Sequence, residues 1–532
     1  MDSTKTQLGR RQFLTIAGAA STLAMTAGVA KAAEKVTTAG CSAGAGQTIK
    51  GVVVERPVHL PYKLPTLAEM QAAMGSSGGG APGGGAPGGP GGGAAGGPGG
   101  GAPGGAPGGG KQPTPAVYVE DGKYVAGSSK AEAVTAGKVG ERYASGIKIA
   151  GKSGEVGGVY VKGVGSEYTL ADADIDLSGD GAFGLGGPGS GAAADDYGTL
   201  IVRNCTITTS GQQRNATSVQ NHSVLKVYNS TLKSNGVPFT PDFSTSSQKQ
   251  QLEVDGNSRT HVTLSNSYSY FYYSTIIAEG WAALSTDGSE GFVYLEANNC
   301  TVKTLKSGYG TYADGSCHNF LNRCDFDVAA MAAIIAGEAD CTFYDTKAKC
   351  GSYFALIHCV MGSTAEAGTL KVTGGDIQTK KAAVLVKSAN AEIVFDGSKI
   401  VSESGVLLKS VISSDPNASK TAHIKGQKVY GIHATFKNMD IAGDVDHSED
   451  KENRGMTVYL ESTTLKGAIK DASIKMNRLS KWTATADSNV TIIGDVDVSQ
   501  IDAPAGVTIT AIASVSGKYK LASCGTLILK AS

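Results

Sequence analysis

The chain has 532 residues, and its 47 Lys plus Arg balance its 47 Asp plus Glu, so the formal net charge is zero. That balance gives no global electrostatic case for nucleic acid or a membrane surface as a partner. Aromatic residues make up 6% of the chain, and the 74 glycines gather largely in one tract, beyond which Val, Ile, Thr, Ser, Asn and Gly favour short strands joined by turns.

The N-terminus reads Gly9-Arg10-Arg11-Gln12-Phe13-Leu14, followed by an apolar, small-residue stretch from Ile16 to Ala30 and then Ala30-Lys31-Ala32. A charged start, a short apolar middle and a small-residue processing site describe a leader peptide rather than a membrane span. The arginine pair followed by Phe-Leu resembles the twin-arginine export motif, with Gly9 where Ser or Thr is usual and Thr15 where Lys is usual. The resemblance implies that residues 1–32 are removed and that the rest goes to the periplasm, the cell surface or the medium. It also implies cargo folded in a reducing compartment, which argues against disulfides made during folding. A lipoprotein site at Thr38-Ala39-Gly40-Cys41 is the weaker alternative, because Glu34 and Lys35 separate it from the apolar stretch. No transmembrane helix is expected in the mature chain.

Residues 33–77 form a short N-terminal segment. Thr66 and Glu69 have the capping-box spacing, which predicts a helix over Thr66–Met74. The segment is expected either to dock on the main body as a cap or to remain an arm. Residues 78–110 are Gly, Ala and Pro alone, so no core can form there, and 78–115 is expected to be a tether.

Residues 116–532 are expected to be one β domain. A phrase recurs in which apolar residues lead to Asn or a small polar residue, then Cys, Ser or Thr, then an apolar residue. It reads Ile201-Val-Arg-Asn-Cys-Thr-Ile207, Val227-Tyr-Asn-Ser-Thr-Leu232, Asn299-Cys-Thr-Val302, Asn322-Arg-Cys-Asp-Phe326 and Ala339-Asp-Cys-Thr-Phe343. Copies lie at a period of about 24 residues, enough for three short strands and three turns, which is one coil of a parallel β-solenoid. Cys205, Cys300, Cys324 and Cys341 then hold one repeated place and stack inside as small hydrophobes, in preference to disulfides. No CxxC pair supports a zinc site. On these repeats, residues 140–530 resemble the right-handed parallel β-helix, or pectin-lyase-like, superfamily. The resemblance implies an all-β fold, but that fold hosts lyases, hydrolases, epimerases, tailspikes and adhesins, so it does not fix function.

Aligning the middle coils on their apolar strands puts Asp287, Asp314, Glu338, His358, Lys387 and Lys409 in one column. Carboxylates on neighbouring coils would lie about 5 Å apart. Like charges that close raise one pKa, yielding a proton donor beside a base. In this reading Asp287, Asp314 and Glu338 are acid and base, His358 a proton shuttle and Lys387 the holder of an anion. Tyr272, Trp281, Tyr309, Tyr312 and Tyr353 are candidate platforms for a sugar or aromatic ligand, with His318 and Arg323 reaching the same groove. Ser285-Thr286-Asp287-Gly288 resembles the Asn-Thr-Asp-Gly phrase of polygalacturonases, but their other motifs are missing, so pectin is not implied. No cofactor is expected. Ca²⁺ is a candidate ligand of Asp172, Asp174 and Asp176, for which a solvated strand face is the favoured reading. The expected function is lyase, hydrolase or isomerase chemistry on a carbohydrate or a polyhydroxylated or aromatic substrate. The alternative is an adhesin-like, glycan-binding rod without turnover.

Overall fold

The computed structural model describes residues 46–58, 112–181, 185–236, 252–359, 367–413 and 430–532. The expected leader, the predicted helix Thr66–Met74 and the Gly/Ala/Pro tract lie outside these residues. The described chain is all-β and builds a parallel β-helix in which each coil lends one strand to each of three faces. On the first face Thr199–Arg203, Val224–Tyr228 and Tyr268–Tyr272 pair in parallel. Thr206–Ser210, Thr231–Asn235 and Thr275–Ala278 follow one another on the second. Thr217–Val219, Arg259–Leu264 and the start of Ala282–Asn298 do so on the third.

The repeated phrase marks the turn from the first face to the second. Asn204, Asn229, Asn299 and Asn438 have φ between 47° and 53° there, and Asn tolerates this left-handed backbone better than most residues. The next residue is the small inward one: Cys205, Ser230, Ser274, Cys300, Cys324 and Thr346 are all buried. Its role is more than filling space, since the Cys205 N–H donates to Ser230 Oγ (3.0 Å) and the Ser230 N–H to Ser274 Oγ (3.2 Å). Cys341 departs from the expected column. It sits on the first face opposite Asn319 and Leu370, and Thr346 holds the turn position of that coil. Seven cysteines are free and buried. Cys524 is disulfide-bonded, and its partner lies outside the described residues.

The interior is a continuous apolar column. Within it Phe326, Phe343, Phe354, Phe395 and Phe436 stack in sequence with centroids 4.9 to 6.3 Å apart. Antiparallel hairpins cover both ends: Val134–Val139 against Tyr143–Gly151 at one, Gly517–Lys520 against Thr526–Ala531 at the other. Such ends would otherwise expose unpaired strand edges. Residues 46–58 return to the far end of the same body, where Thr48 and Ile49 pair antiparallel with Asp497 and Val496. Among the described residues no helix is long and apolar enough to cross a membrane.

Candidate acid–base site

Strand alternation divides the third face. Ala313, Ile335, Ile357 and Val386 point into the main core, whereas Tyr312, Ile334, Ala336, Leu356 and Leu385 belong to a second apolar cluster on the outside. The segment around Leu252 and Val254 lies over this outer strip, and Trp281, Tyr309 and Tyr312 are buried with it. Three of the predicted ligand platforms are therefore packing residues that hold a covering segment.

Ser285 stands opposite Tyr312 and Gly288 opposite Gly315, so Asp287 and Asp314 hold equivalent places on consecutive coils. The column continues through Ala336, His358, Lys387 and Val411. Glu338 and Lys409 are each two residues out of register with it. Glu338 lies beyond the strand end at Ala336, and Lys409 stands one row back, opposite Leu385. A sequence alignment of short strands cannot detect such a slip, because a two-residue shift leaves the inward–outward pattern unchanged. The column is thus an acidic pair and a basic pair separated by Ala336.

Both aspartates are buried. Burial, then Asp287, with Glu338 adding to the effect, pushes the Asp314 carboxyl up to about 7, although the Tyr312 hydroxyl donates to it at 3.2 Å. Polar groups brace the corner from inside. Thr286 Oγ1 lies 2.7 Å from the Tyr312 carbonyl and 3.0 Å from Asn319 Oδ1, and Asn319 Nδ2 donates to Thr311 Oγ1 at 2.8 Å. His358 is buried, which lowers its pKa to about 4, with Lys387 adding to the effect. Its Nδ1 donates to the Cys359 carbonyl (3.0 Å), so Nε2 of the neutral ring carries no proton. That Nε2 has no hydrogen-bond partner among the described residues.

Lys387 meets Glu253, a residue the sequence did not single out. The Glu253 carboxylate is 3.3 Å from Lys387 Nζ, 3.4 Å from Lys381 Nζ and 3.3 Å from the Tyr353 hydroxyl that donates to it. Glu253 has φ +59°, unusual outside Gly and Asn, and belongs to a long insertion between coils that no repeat pattern could place.

The remaining predicted residues lie elsewhere. Tyr272 is on the first face, stacked on Tyr228 at 5.1 Å with Arg203 beyond, so its ring extends a ladder along the solenoid. His318 is on the same face, hydrogen-bonded to Asp340 and stacked on Phe292 at 5.0 Å. Arg323 is exposed at the left-handed turn between the first and second faces, with φ 51°. It does not reach the third face. Asp174 and Asp176 are exposed along one strand, and no group of three acidic, His or Cys side chains suited to a metal converges among the described residues. Comparison with family models, curated proteins and solved structures returns no match.

Proposed function

We propose that this chain is an exported β-helix enzyme of the pectin-lyase-like kind that cleaves a glycosidic bond in a carbohydrate. Asp314 is the acid, Asp287 the carboxylate base or nucleophile, and a twin-arginine leader directs export. The observation that carries the reading is the register-matched Asp287–Asp314 pair, buried beside the Tyr312 hydroxyl. Burying two carboxyls on adjacent coils costs stability, and such pairs are retained where one must stay protonated near neutral pH. Tyr312 orients Asp314. The covering segment at Leu252–Val254 excludes water, and Lys387 holds an anionic group once Glu253 moves aside. Strands about 4.8 Å apart put the carboxyls near the roughly 5 Å separation of retaining glycosidases, so products should keep the anomeric configuration of the substrate.

The test compares the full chain with Asp314→Asn on a panel of neutral and acidic polysaccharides, following new reducing ends and their anomeric configuration by NMR. The variant should fold as the parent does and lose roughly 10² to 10⁴ in kcat, the usual worth of a general acid. Equal turnover by both proteins would remove Asp314 from the mechanism. A second reading, a glycan-binding rod without turnover, is favoured by Glu253 already seated on Lys387. It predicts binding that Asp314→Asn leaves unchanged and no new reducing ends.

A further inference from the structure

Glu253 reaches far from its own coil. Strand pairing on the third face steps from Arg259–Leu264 to Val384–Lys387 through five successive coils. At roughly 4.8 Å per coil that is about 24 Å, yet the Glu253 carboxylate lies on Lys387. The donors that meet it belong to the solenoid itself. Tyr353 and Lys381 precede the third-face strands Ala355–His358 and Val384–Lys387 of two adjacent coils, and Lys387 ends the second. Together they present a phenol hydroxyl and two ammonium groups to one carboxylate. Lys381 Nζ also lies 5.0 Å over the Tyr353 ring, which keeps these two donors together. The acceptor belongs to the insertion, which is fastened by other means. Leu252 and Val254 are buried in the outer apolar cluster. The Trp281 N–H donates to the Asp255 carbonyl at 2.8 Å, and the Asp255 N–H donates to Ser307 Oγ at 2.8 Å. Between these anchors Glu253 holds φ +59°, a backbone that its surroundings impose.

Two further observations point to a ligand. The Lys387 side chain is 6% exposed, whereas that of Glu253 is 29% and that of Lys381 55% exposed. A buried ammonium requires an anion beside it, and the opening at Lys381 lets that anion be exchanged. His358 stands opposite Lys387 on the adjacent coil, on the outer side of a strand whose Ile357 enters the main core. Its Nε2 is buried and lacks both a proton and a partner among the described residues. A buried acceptor without a donor is costly, and a hydroxyl group is the donor it lacks. Two cations, a phenol and a bare imidazole nitrogen on two adjacent coils suit a carboxylate that carries hydroxyl groups.

We infer that Lys387, Lys381 and Tyr353 form a carboxylate-binding subsite whose built-in occupant is Glu253, and that a hydroxylated carboxylate ligand displaces Glu253 and donates to His358. The inference rests on the third face being the ligand face of the proposed enzyme, and adds that the insertion is autoinhibitory and the ligand acidic. Glu253 competes as a group of the same chain, at high effective concentration, so a displacing ligand must make contacts beyond its carboxylate.

The test uses full chains that all carry Asp314→Asn, so that binding is read without turnover. Glu253→Ala opens a carboxylate-sized hole. Sodium gluconate at about 50 mM should raise the thermal transition of Glu253→Ala by a few degrees, and sodium acetate by less. Sodium chloride at equal ionic strength and glucose should do neither. Glu253→Gln, which fills the hole, and Glu253→Ala joined to Lys387→Met should not respond. Responses equal in all three variants, or none in Glu253→Ala, would overturn the subsite; gluconate and acetate acting alike would remove His358 from it. On acidic polysaccharides Glu253→Gln should bind about tenfold more tightly than its parent by calorimetry, with neutral ones unchanged. Acidic polysaccharides that bind it no better than the parent, or not at all, would make Glu253 an ordinary structural tie. These gains together with no turnover in the chain that retains Asp314 would overturn the hydrolytic reading alone.

Discussion

At the scale of single residues, Asp314 ties stability to pH. Its folded pKa of about 7 lies above the ordinary carboxyl value near 4. Between those limits the folded state binds the extra proton, so stability falls as pH rises from about 4 to about 7 and is level above. Asp314→Asn removes the titration. The variant should therefore be the more stable protein at pH 7.5, on the order of a few kcal/mol, and should lose that advantage near pH 4. Urea unfolding of both proteins across this range checks the sign, and parallel stability profiles would mean that Asp314 ionises normally. A gain in stability joined to a loss of turnover is the signature of a group kept for chemistry rather than for folding.

At the scale of the element, the left-handed turn separates what was legible from what was not. The Asn-Cys/Ser/Thr phrase announced the solenoid because each coil meets the same backbone demand at the same turn, and few residues satisfy it. Arg323 fills that place in its own coil with φ 51°, which explains both its position and its exposure. Arg323→Asn should stabilise the protein by about 0.5 kcal/mol and leave turnover unchanged, measured by thermal unfolding and by initial rates. A loss of turnover would return Arg323 to the site. The acidic pair was legible for a related reason: Asp287-Gly288 and Asp314-Gly315 repeat at matched places within Ala282–Asn298 and Tyr309–Asn322. Glu338 and Lys409 were misplaced because coils differ by a residue or two where a strand meets its turn, and no apolar period records that difference. Glu253 and the burial of Trp281, Tyr309 and Tyr312 were beyond reach. They depend on an insertion folding back over an outer face, a contact that leaves no periodic trace.

At the scale of the whole molecule, the solenoid is quasi-one-dimensional, each coil resting on its neighbours. Its ends matter accordingly. Deleting residues 517–532 would uncover Thr508–Ala513, whose outer pairing with Thr526–Ala531 would be lost. The shortened protein should associate through that edge, visible by light scattering, while its middle coils stay protected from hydrogen exchange. A shortened protein that stays monomeric would mean that the preceding coil is already a sufficient cap. Residues 46–58 run against this one-dimensional order, since Lys50 and Asp495, ion-paired at 2.5 Å, are 445 residues apart. During synthesis Ile49 is made long before Val496 and waits, uncovered, until nearly the whole chain exists. A chain broken off at any earlier coil never gains the partner for that strand. It carries a loose apolar N-terminus that marks it, to any protease, as unfinished.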